Sequence, residues 1–472
     1  MLRLPPYSVA STLTLALLPE DTSIDRLLIG LLLAIGLYAF DDLALSTILP
    51  SVAAELHGDA LFGASFLAFL LSNLASLVAA GYAIDRIGVV RPFATALLLF
   101  AAGLALSVLA HSMPVFVVGR ALQGLGGGGI QAVVSAVIVL AWHGADRQRA
   151  ISWATTSWMV PALVGPFLAG WASAALHWRY VFVALIALTL MTAVLVLPRL
   201  RRLQGPAREE GDDEQAEPLP SAVVMAAVGV ACGTGVVLVG LDQRNLLGGL
   251  LAILGLFALR RPLAMSLPPR YWSAATPLAA ALLLRMLACA VFFGIEAWLP
   301  WTVSRAGLAS VLVAGLILST SAGGWTLATW WVDGALARVG PRAILNVASA
   351  LLLAGSALAW AALTQLASIA LAFVAWFVAG FAMGLCYPVI ASLAMACAER
   401  GREGRLSMMM GLTDTLGITI AIGIGGALLR ADRAGAVARV ADLWLGYVGL
   451  ALLLPLLLWR RREHFGPVPS TE

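Results

Sequence analysis

Long apolar stretches alternate along this chain with short polar segments. A helix needs about 20 apolar residues to cross the hydrocarbon core of a bilayer. Six candidate spans come first, at residues 27–50, 60–84, 92–111, 114–141, 150–174 and 180–198. Two follow at 221–241 and 246–259, and six more at 275–303, 309–333, 343–366, 368–398, 406–429 and 440–459. The pattern predicts an all-α membrane protein with fourteen spans.

A charge-rich segment, RLRRLQGPAREEGDDEQAEPLP at residues 199–220, interrupts the apolar pattern. It shows no apolar periodicity, so we expect a solvated linker between two halves. The predicted organisation is a cytoplasmic or interfacial tail (1–25), a six-helix bundle (26–198), the cytoplasmic linker (199–220), an inserted helix pair (221–262), a second six-helix bundle (263–460) and a cytoplasmic tail (461–472).

The arginines decide whether the short stretch at 246–259 crosses the bilayer or is re-entrant. Cytoplasmic loops of membrane proteins carry an excess of basic residues. Fourteen crossings with a cytoplasmic N-terminus place most arginines inside, whereas omitting this crossing would invert the second half and move its arginines outside. We therefore expect fourteen spans with both termini in the cytoplasm.

Composition narrows the functional class. Charged residues make up 11% of the chain, against about 25% in soluble proteins. The net charge of +4 comes from arginines scattered among short loops, which argues against nucleic-acid binding. The cysteines lie singly in apolar stretches, at Cys232, Cys289, Cys386 and Cys397, and the five histidines show no metal-binding spacing. We expect no disulfide, metal, cofactor or enzyme active site.

The loop between the second and third predicted spans reads GYAIDRIGVVRP, residues 81–92. Two glycines bracket an Asp-Arg pair, which suits a tight turn whose charges pair with a neighbouring helix end. The segment resembles the signature loop of the major facilitator superfamily, G-x-L-A-D-R-x-G-R-R. Valines replace the basic pair here, and Arg91 remains to compensate.

Four more segments of the first half carry the same resemblance. They are FDDLALSTILP (40–50), GRALQGLGGGGIQAVVSAV (119–137), PALVGPFLAGW (161–171) and WRYVFV (178–183). The first is similar to the opening motif of the fourteen-helix drug:proton antiporters, with Asp41 on its Asp and Pro50 on its Pro. The second resembles the fourth-helix motif of drug exporters, the third resembles the fifth-helix motif associated with antiporters but lacks its last glycine, and the fourth is typical of the helix that follows. In the second half, GALARVGPR (334–342) is a degenerate echo of the signature loop. The resemblance implies two pseudo-symmetric six-helix bundles that expose a mid-membrane site to each side in turn.

Charged residues inside the predicted spans are the candidate chemistry. A charge at mid-span costs roughly 3 kcal/mol or more, so it normally faces a partner or a water-filled cavity. At about 1.5 Å per residue, Asp41 lies ~13 Å below the outer end of its helix and Arg120 ~9 Å below that of its own. They can share one layer, where Asp41 either titrates during transport or holds Arg120 in a static pair. The adjacent Asp42 points about 100° away and keeps no assigned role.

The second half offers Arg285, Glu296 and Asp414. Arg285 and Asp414 lie at similar depth, so we expect an ion pair, with a structural role favoured over a coupling role. Glu296 is eleven residues after Arg285 and therefore on the same helix face. It is either a second proton site, a cation-attracting residue or an interfacial side chain that snorkels.

These considerations and the resemblance give three sets of site residues. The proton-coupling set is Asp41, Arg120, Glu296 and Asp414. The substrate-cavity set is Asp42, Gln123, Gln131, Arg285 and Tyr387. The conformational gate is Gly81, Asp85, Arg86, Gly88, Arg91, Gly165 and Pro166, of which the last two are either a hinge or a static kink.

The predicted function is proton-coupled export of hydrophobic or amphipathic small molecules. We expect a monomer in a bacterial-type inner membrane, with protons, a small-molecule substrate and the lipid bilayer as its partners. Export of one dedicated lipid or siderophore is the alternative, and a non-transporting sensor or scaffold is a further one. A membrane enzyme is disfavoured because the sequence shows no His/Glu metal pair, and no Ser or Cys with a plausible base at matching depth.

Overall fold

The computed structural model describes most of the chain. The described residues are 22–142, 144–203, 225, 229–230, 232–237, 240, 246–397, 403–429 and 440–465. The outer parts of both predicted tails, the linker from residue 204 onward and most of the predicted span 221–241 lie outside them. In the described part, secondary structure consists of helices and turns, without a strand.

Twelve long α-helices form the described chain. They are α1 (Thr22–Glu55), α2 (Phe62–Ile87), α3 (Val90–Val108), α4 (Met113–Ala141), α5 (Gly144–Ala175), α6 (Trp178–Leu203), α7 (Leu246–Ser266), α8 (Pro277–Arg305), α9 (Val311–Leu363), α10 (Ala370–Ala396), α11 (Glu403–Leu429) and α12 (Val440–Arg460). Helix α9 contains two spans that meet at Gly340, whose φ of 78° breaks the helical path. The described residues thus hold thirteen helices long and apolar enough to cross a membrane.

The first bundle, α1–α6, is held together by close helix approach at small residues. Helix α4 carries four consecutive glycines, residues 126–129. A Cβ added at Gly128 would collide with the backbone oxygen of Asn73 in α2. Small residues let membrane helices approach closely where the apolar lipid offers little driving force for association. The glycine run therefore fixes α4 against its neighbours and sets the position of the polar residues that α4 carries.

The second bundle, α8–α12, is also held together by close helix approach at small residues. A Cβ at Gly380 of α10 would collide with the backbone oxygen of Ser321 in α9. Helix α8 begins at a cap, because the Thr276 side chain accepts a hydrogen bond from the Ala279 amide (3.2 Å) and Pro277 occupies the first turn. Helix α8 is the most deeply buried of the thirteen spans, with 78% of its apolar window inside the structure.

The two bundles contact each other at the end that the predicted topology places outside the cell. Asp59, before α2, forms an ion pair with Arg305 at the end of α8. The ring of Phe62 lies 5.0 Å from that of Trp298, centroid to centroid. Nearby, α5 approaches α9 so closely that a Cβ at Gly315 would collide with a backbone oxygen of α5.

Helix α7 belongs to the inserted segment and is longer than the apolar stretch 246–259 predicts. It continues through two arginines to Ser266. Its large apolar side chains are mostly exposed, which is typical of a helix that faces lipid: Leu247, Leu250, Ile253, Leu254, Leu256 and Phe257. A 21-residue helix is long enough to cross, so the structure supports a span here over a re-entrant segment.

Candidate functional site

A buried ion pair joins α1 to α4 in the first bundle. The Arg120 guanidinium donates through Nη1 to Asp41 Oδ2 at 2.8 Å, and the two side chains are 0% and 1% exposed. An ionised side chain without a partner is costly at such a position. The structure thus brings together the two residues that the sequence predicts to share one layer.

The pair continues into a chain of polar side chains. Arg120 Nη1 also donates to Gln123, one turn further along α4. Gln123 Nε2 donates to Ser107 Oγ of α3 at 2.8 Å, and the guanidinium lies 4.2 Å from the centre of the Phe69 ring of α2. We call Asp41, Arg120, Gln123, Ser107 and Phe69 the N-bundle cluster. It connects four helices of the first bundle.

This cluster has unused hydrogen-bonding capacity. Among the described residues, Asp41 Oδ1 and two Arg120 nitrogens, Nε and Nη2, have no hydrogen-bond partner. Buried polar atoms are usually satisfied, and exceptions concentrate at functional positions. The N-bundle cluster therefore has one acceptor and two donors that can take other partners.

A second cluster occupies the other bundle. Asp414 of α11 accepts from Arg285 Nε and Nη2 of α8, both at 2.7 Å. The carboxylate also accepts from the Tyr387 hydroxyl of α10 at 2.9 Å and from the Cys289 thiol at 3.3 Å. The guanidinium lies 3.8 Å from the centre of the Tyr387 ring. We call Arg285, Cys289, Tyr387 and Asp414 the C-bundle cluster. It contains the Arg285–Asp414 ion pair that the sequence predicts from the similar depth of the two residues.

Asp42 and Glu296 belong to α1 and α8, two helices that contact each other across the bundles. Asp42 is half-buried on α1, on a different face from Asp41. Glu296 is 8% exposed, and within the described residues its Oε2 has no hydrogen-bond partner.

The remaining predicted site residues are more scattered. Gln131 is half-buried two turns beyond Gln123, and among the described contacts it belongs to neither cluster. Gly88 ends α2 with a φ of 74°, a conformation that favours glycine in the short turn before α3. Arg91 is exposed at the start of α3.

The other gate residues lie inside helices. Gly81 is in the last turns of α2, where the Asp85 and Arg86 side chains fall outside the described residues. Gly165 and Pro166 lie inside α5, which is continuous across them. The Pro166 carbonyl lies at the close approach to α9, so the pair is at the contact between the bundles.

Sequence reasoning missed three of the clustered residues. Ser107 and Phe69 join the N-bundle cluster from helices that carry no charge at that depth, so the sequence held no signal for them. Cys289 is different, because it follows Arg285 by four residues and neighbouring turns place i and i+4 side by side. The described residues contain no group of three or more His, Cys, Asp or Glu side chains arranged to hold a metal ion.

Comparison with known proteins agrees with this architecture. A probable multidrug-efflux transporter of Mycobacterium tuberculosis is 25% identical over 431 residues, which cover 88% of this chain and 90% of that protein. The multidrug transporter protein MdtP of Bacillus subtilis is 26% identical over 179 residues, covering 38% of this chain and 32% of that protein.

Solved transporter structures share the fold. The POT family transporter PepTSo superposes with a TM-score of 0.68 at 14% identity, covering 93% of this chain and 98% of that one. A D-xylose-proton symporter gives a TM-score of 0.66 at 15% identity, covering 94% and 98%. A family model described as Major Facilitator Superfamily matches residues 31–422. The chain therefore belongs to the Major Facilitator Superfamily, is a multi-pass membrane transporter and is not an enzyme.

Proposed function

We propose that this transporter is a proton-coupled exporter of hydrophobic or amphipathic small molecules in a bacterial-type inner membrane. Family membership supports alternating access between two bundles. The relatives named as multidrug-efflux transporters support export of small molecules.

The proton-coupling proposal is supported above all by the burial and the hydrogen bonding of Asp41. Its carboxylate is buried, and within the described residues its hydrogen-bond partner is Arg120 alone. The Arg120 guanidinium also donates a hydrogen bond to Gln123. A small movement of α1 against α4 can therefore separate Asp41 from the guanidinium, which keeps its hydrogen bond to Gln123. A buried carboxylate that loses its cation takes up a proton more readily. Rocking of the bundles would then couple proton uptake and release to substrate movement.

The contacts between the bundles support a closed end in this conformation. The Asp59–Arg305 ion pair and the Phe62–Trp298 ring contact join the bundles at the predicted extracellular side. Alternating access requires these contacts to separate when the carrier opens on that side. With the predicted topology, a carrier closed at this end takes up its substrate from the cytoplasmic side.

Everted membrane vesicles test the proposal. Respiration acidifies the vesicle lumen, and a quenched acridine dye reports the pH gradient. A panel of lipophilic cations, neutral drugs and amphipathic metabolites is added to wild type, Asp41→Asn and Asp442→Asn. Asp442 is an exposed carboxylate at the start of α12 and serves as the matched control. We expect wild type and the control to dequench with particular compounds and Asp41→Asn to fail.

Two other results would change the proposal. Equal dequenching by wild type and Asp41→Asn would remove Asp41 from proton coupling. Absence of dequenching in wild-type protein that elutes as a single folded species would refute broad drug:proton antiport and favour a dedicated lipid or siderophore.

A further inference from the structure

A short turn between α1 and α2 carries Asp59, the first-bundle partner in the ion pair between the bundles. Helix α1 ends at Glu55, four residues before Asp59. His57 has a φ of 48°, the left-handed conformation that commonly ends a helix. The Gly58 amide donates a hydrogen bond to the Ala53 carbonyl of α1 at 2.9 Å. The position of Asp59 is therefore tied to the last turn of α1.

The same turn is also packed against α4. A Cβ added at Gly58 would collide with the side chain of Met113, the first residue of α4. The Gly58 carbonyl accepts a hydrogen bond from the Leu61 amide at 2.9 Å. These contacts leave the turn little room to move by itself, so its direction follows the helix ends that surround it.

The carboxylate of Glu55 is held by the start of α6. Its Oε1 accepts a hydrogen bond from Arg179 Nη1, and its Oε2 accepts one from Trp178 Nε1 at 2.6 Å. His177 Nε2 lies 3.1 Å from the same Oε2. Each carboxylate oxygen thus has its own donor, and hydrogen bonds to a charged group hold its orientation more strongly than neutral ones.

The Arg179 guanidinium is in turn held by the end of α3. Its Nε donates to the Val108 carbonyl at 2.9 Å, and its Nη2 donates to the Ala110 carbonyl at 2.8 Å. The guanidinium also lies 4.2 Å from the centre of the Trp178 ring. All three guanidinium nitrogens have an acceptor, and the planar group fixes the directions of its donors. Arg179 therefore joins the outer ends of α1, α3 and α6.

We propose that Arg179 is a positioning residue for closure of the outer end of the transporter. It holds Glu55 at the end of α1, and the turn that follows then presents Asp59 to Arg305 of the second bundle. A set of contacts inside the first bundle thus determines a contact between the bundles. The proposal rests on the closed outer end described under the proposed function, and it adds the residue that sets the geometry of that closure.

A cysteine placed where the bundles meet can report how often the outer end opens. Thr47 of α1 is fully buried, and its methyl carbon lies 3.2 Å from a Cβ placed at Gly170 of α5 and 3.1 Å from one placed at Gly315 of α9. Thr47→Cys is made with the exposed cysteines, Cys232 and Cys397, replaced by serine. Intact cells are treated with trimethylammonium methanethiosulfonate, which does not cross the membrane. The labelling rate then follows the population of the open state.

Further substitutions in this reporter protein test the role of Arg179. An exposed ion pair contributes up to about 1 kcal/mol, which corresponds to about fivefold in a population. We expect Arg179→Ala, Glu55→Ala and Arg305→Ala each to raise the labelling rate about threefold to fivefold. Glu55→Ala leaves the bonds from Arg179 to α3 in place. Arg149→Ala is the matched control, because it removes an exposed ion pair with Asp146 at the other end of the first bundle, and it should label as the reporter does.

A double variant separates positioning from general support of the fold. If Arg179 acts through the ion pair between the bundles, Arg179→Ala combined with Arg305→Ala should label no faster than Arg305→Ala alone. Two independent effects would instead multiply the two rates. Each protein is purified after labelling, and size-exclusion chromatography limits the comparison to folded protein.

Four results overturn the proposal. An unchanged rate in Arg305→Ala would show that the ion pair does not close the outer end, which also removes that part of the proposed function. An unchanged rate in Arg179→Ala, with Arg305→Ala faster, would refute the positioning role alone. An effect of Arg179→Ala without one of Glu55→Ala, or multiplied rates in the double variant, would reduce Arg179 to a structural support. The labelling rates do not depend on dequenching in vesicles, so proton-coupled export and this proposal can fail separately.

Discussion

Replacing Asp414 with alanine removes the carboxylate that receives two hydrogen bonds of 2.7 Å from Arg285. The two side chains are 17% and 7% exposed, so water screens the remaining arginine weakly. Breaking one partner of a buried ion pair costs about 3–5 kcal/mol, because the other charge is left without compensation. The Tyr387 hydroxyl also loses its acceptor. We expect Asp414→Ala to lower the free energy of unfolding by about 3–5 kcal/mol.

A double-mutant cycle separates this penalty from ordinary loss of packing. Arg285→Met with Asp414→Leu replaces the whole pair by apolar side chains of similar volume, and such replacements are often neutral in protein interiors. We expect the double variant to be more stable than either single variant of the cycle, Arg285→Met or Asp414→Leu, with a coupling energy of at least about 2 kcal/mol. The free energy of unfolding is measured by titrating the purified protein with SDS in mixed micelles. A cost below about 1 kcal/mol for Asp414→Ala, or additive costs in the cycle, would refute the reasoning.

Three further predictions follow from packing and surface charge. Gly128→Ala places a methyl group against the backbone of α2 and should cost about 1–3 kcal/mol, whereas Gly249→Ala meets no atom within 4 Å and should cost nothing; the same SDS titration measures both. Arg179→Ala removes hydrogen bonds of 2.9 and 2.8 Å to two backbone carbonyls, one in the last residue of α3 and one just after it, together with an ion pair to α1, and should cost about 1–3 kcal/mol. Asp59→Arg disrupts the half-exposed pair with Arg305 and should change stability by less than about 1 kcal/mol while altering the transport rate in vesicles. The double variant Asp59→Arg with Arg305→Asp carries the same two charges in exchanged positions, and it should restore the transport rate.

Each of these predictions has an opposing outcome. Equal stability of the two glycine variants would show that α2 and α4 can separate without cost. An Arg179→Ala protein as stable as wild type would mean that water replaces the lost donors. A transport rate unaffected by Asp59→Arg would exclude the ion pair from closure of that end.

In the inserted segment, the local hydropathy pattern predicts that a helix exists but not how long it is. The sequence predicts a span at 246–259, which ends where two arginines begin, and the structure extends the helix to Ser266. Hydropathy falls at these arginines, yet their long side chains can reach the interface while the backbone continues as a helix. The existence of the span was therefore predictable, and its length was not.

In the N-bundle and C-bundle clusters, the depth of the charged residues could be predicted from the sequence, whereas the residues around them could not. Depth along each helix follows from counting residues, so the layers shared by Asp41 with Arg120 and by Arg285 with Asp414 could be predicted. The partners Ser107 and Phe69 lie on other helices, and their contribution depends on how each helix is rotated about its axis. That rotation is set by close contacts such as the one at Gly128, which involve residues far apart in the chain.

The sequence by itself determined the number and order of the thirteen described spans and the depth of each buried charge, because both follow from the length of apolar stretches and the cost of a charge in a bilayer. Only the tertiary structure decided which faces of the helices meet. It placed Asp41 on Arg120 inside one bundle and left the adjacent Asp42 half-buried on another face of the same helix. Two neighbours in the sequence point about 100° apart on a helix, and packing between helices decides which charge each of them meets.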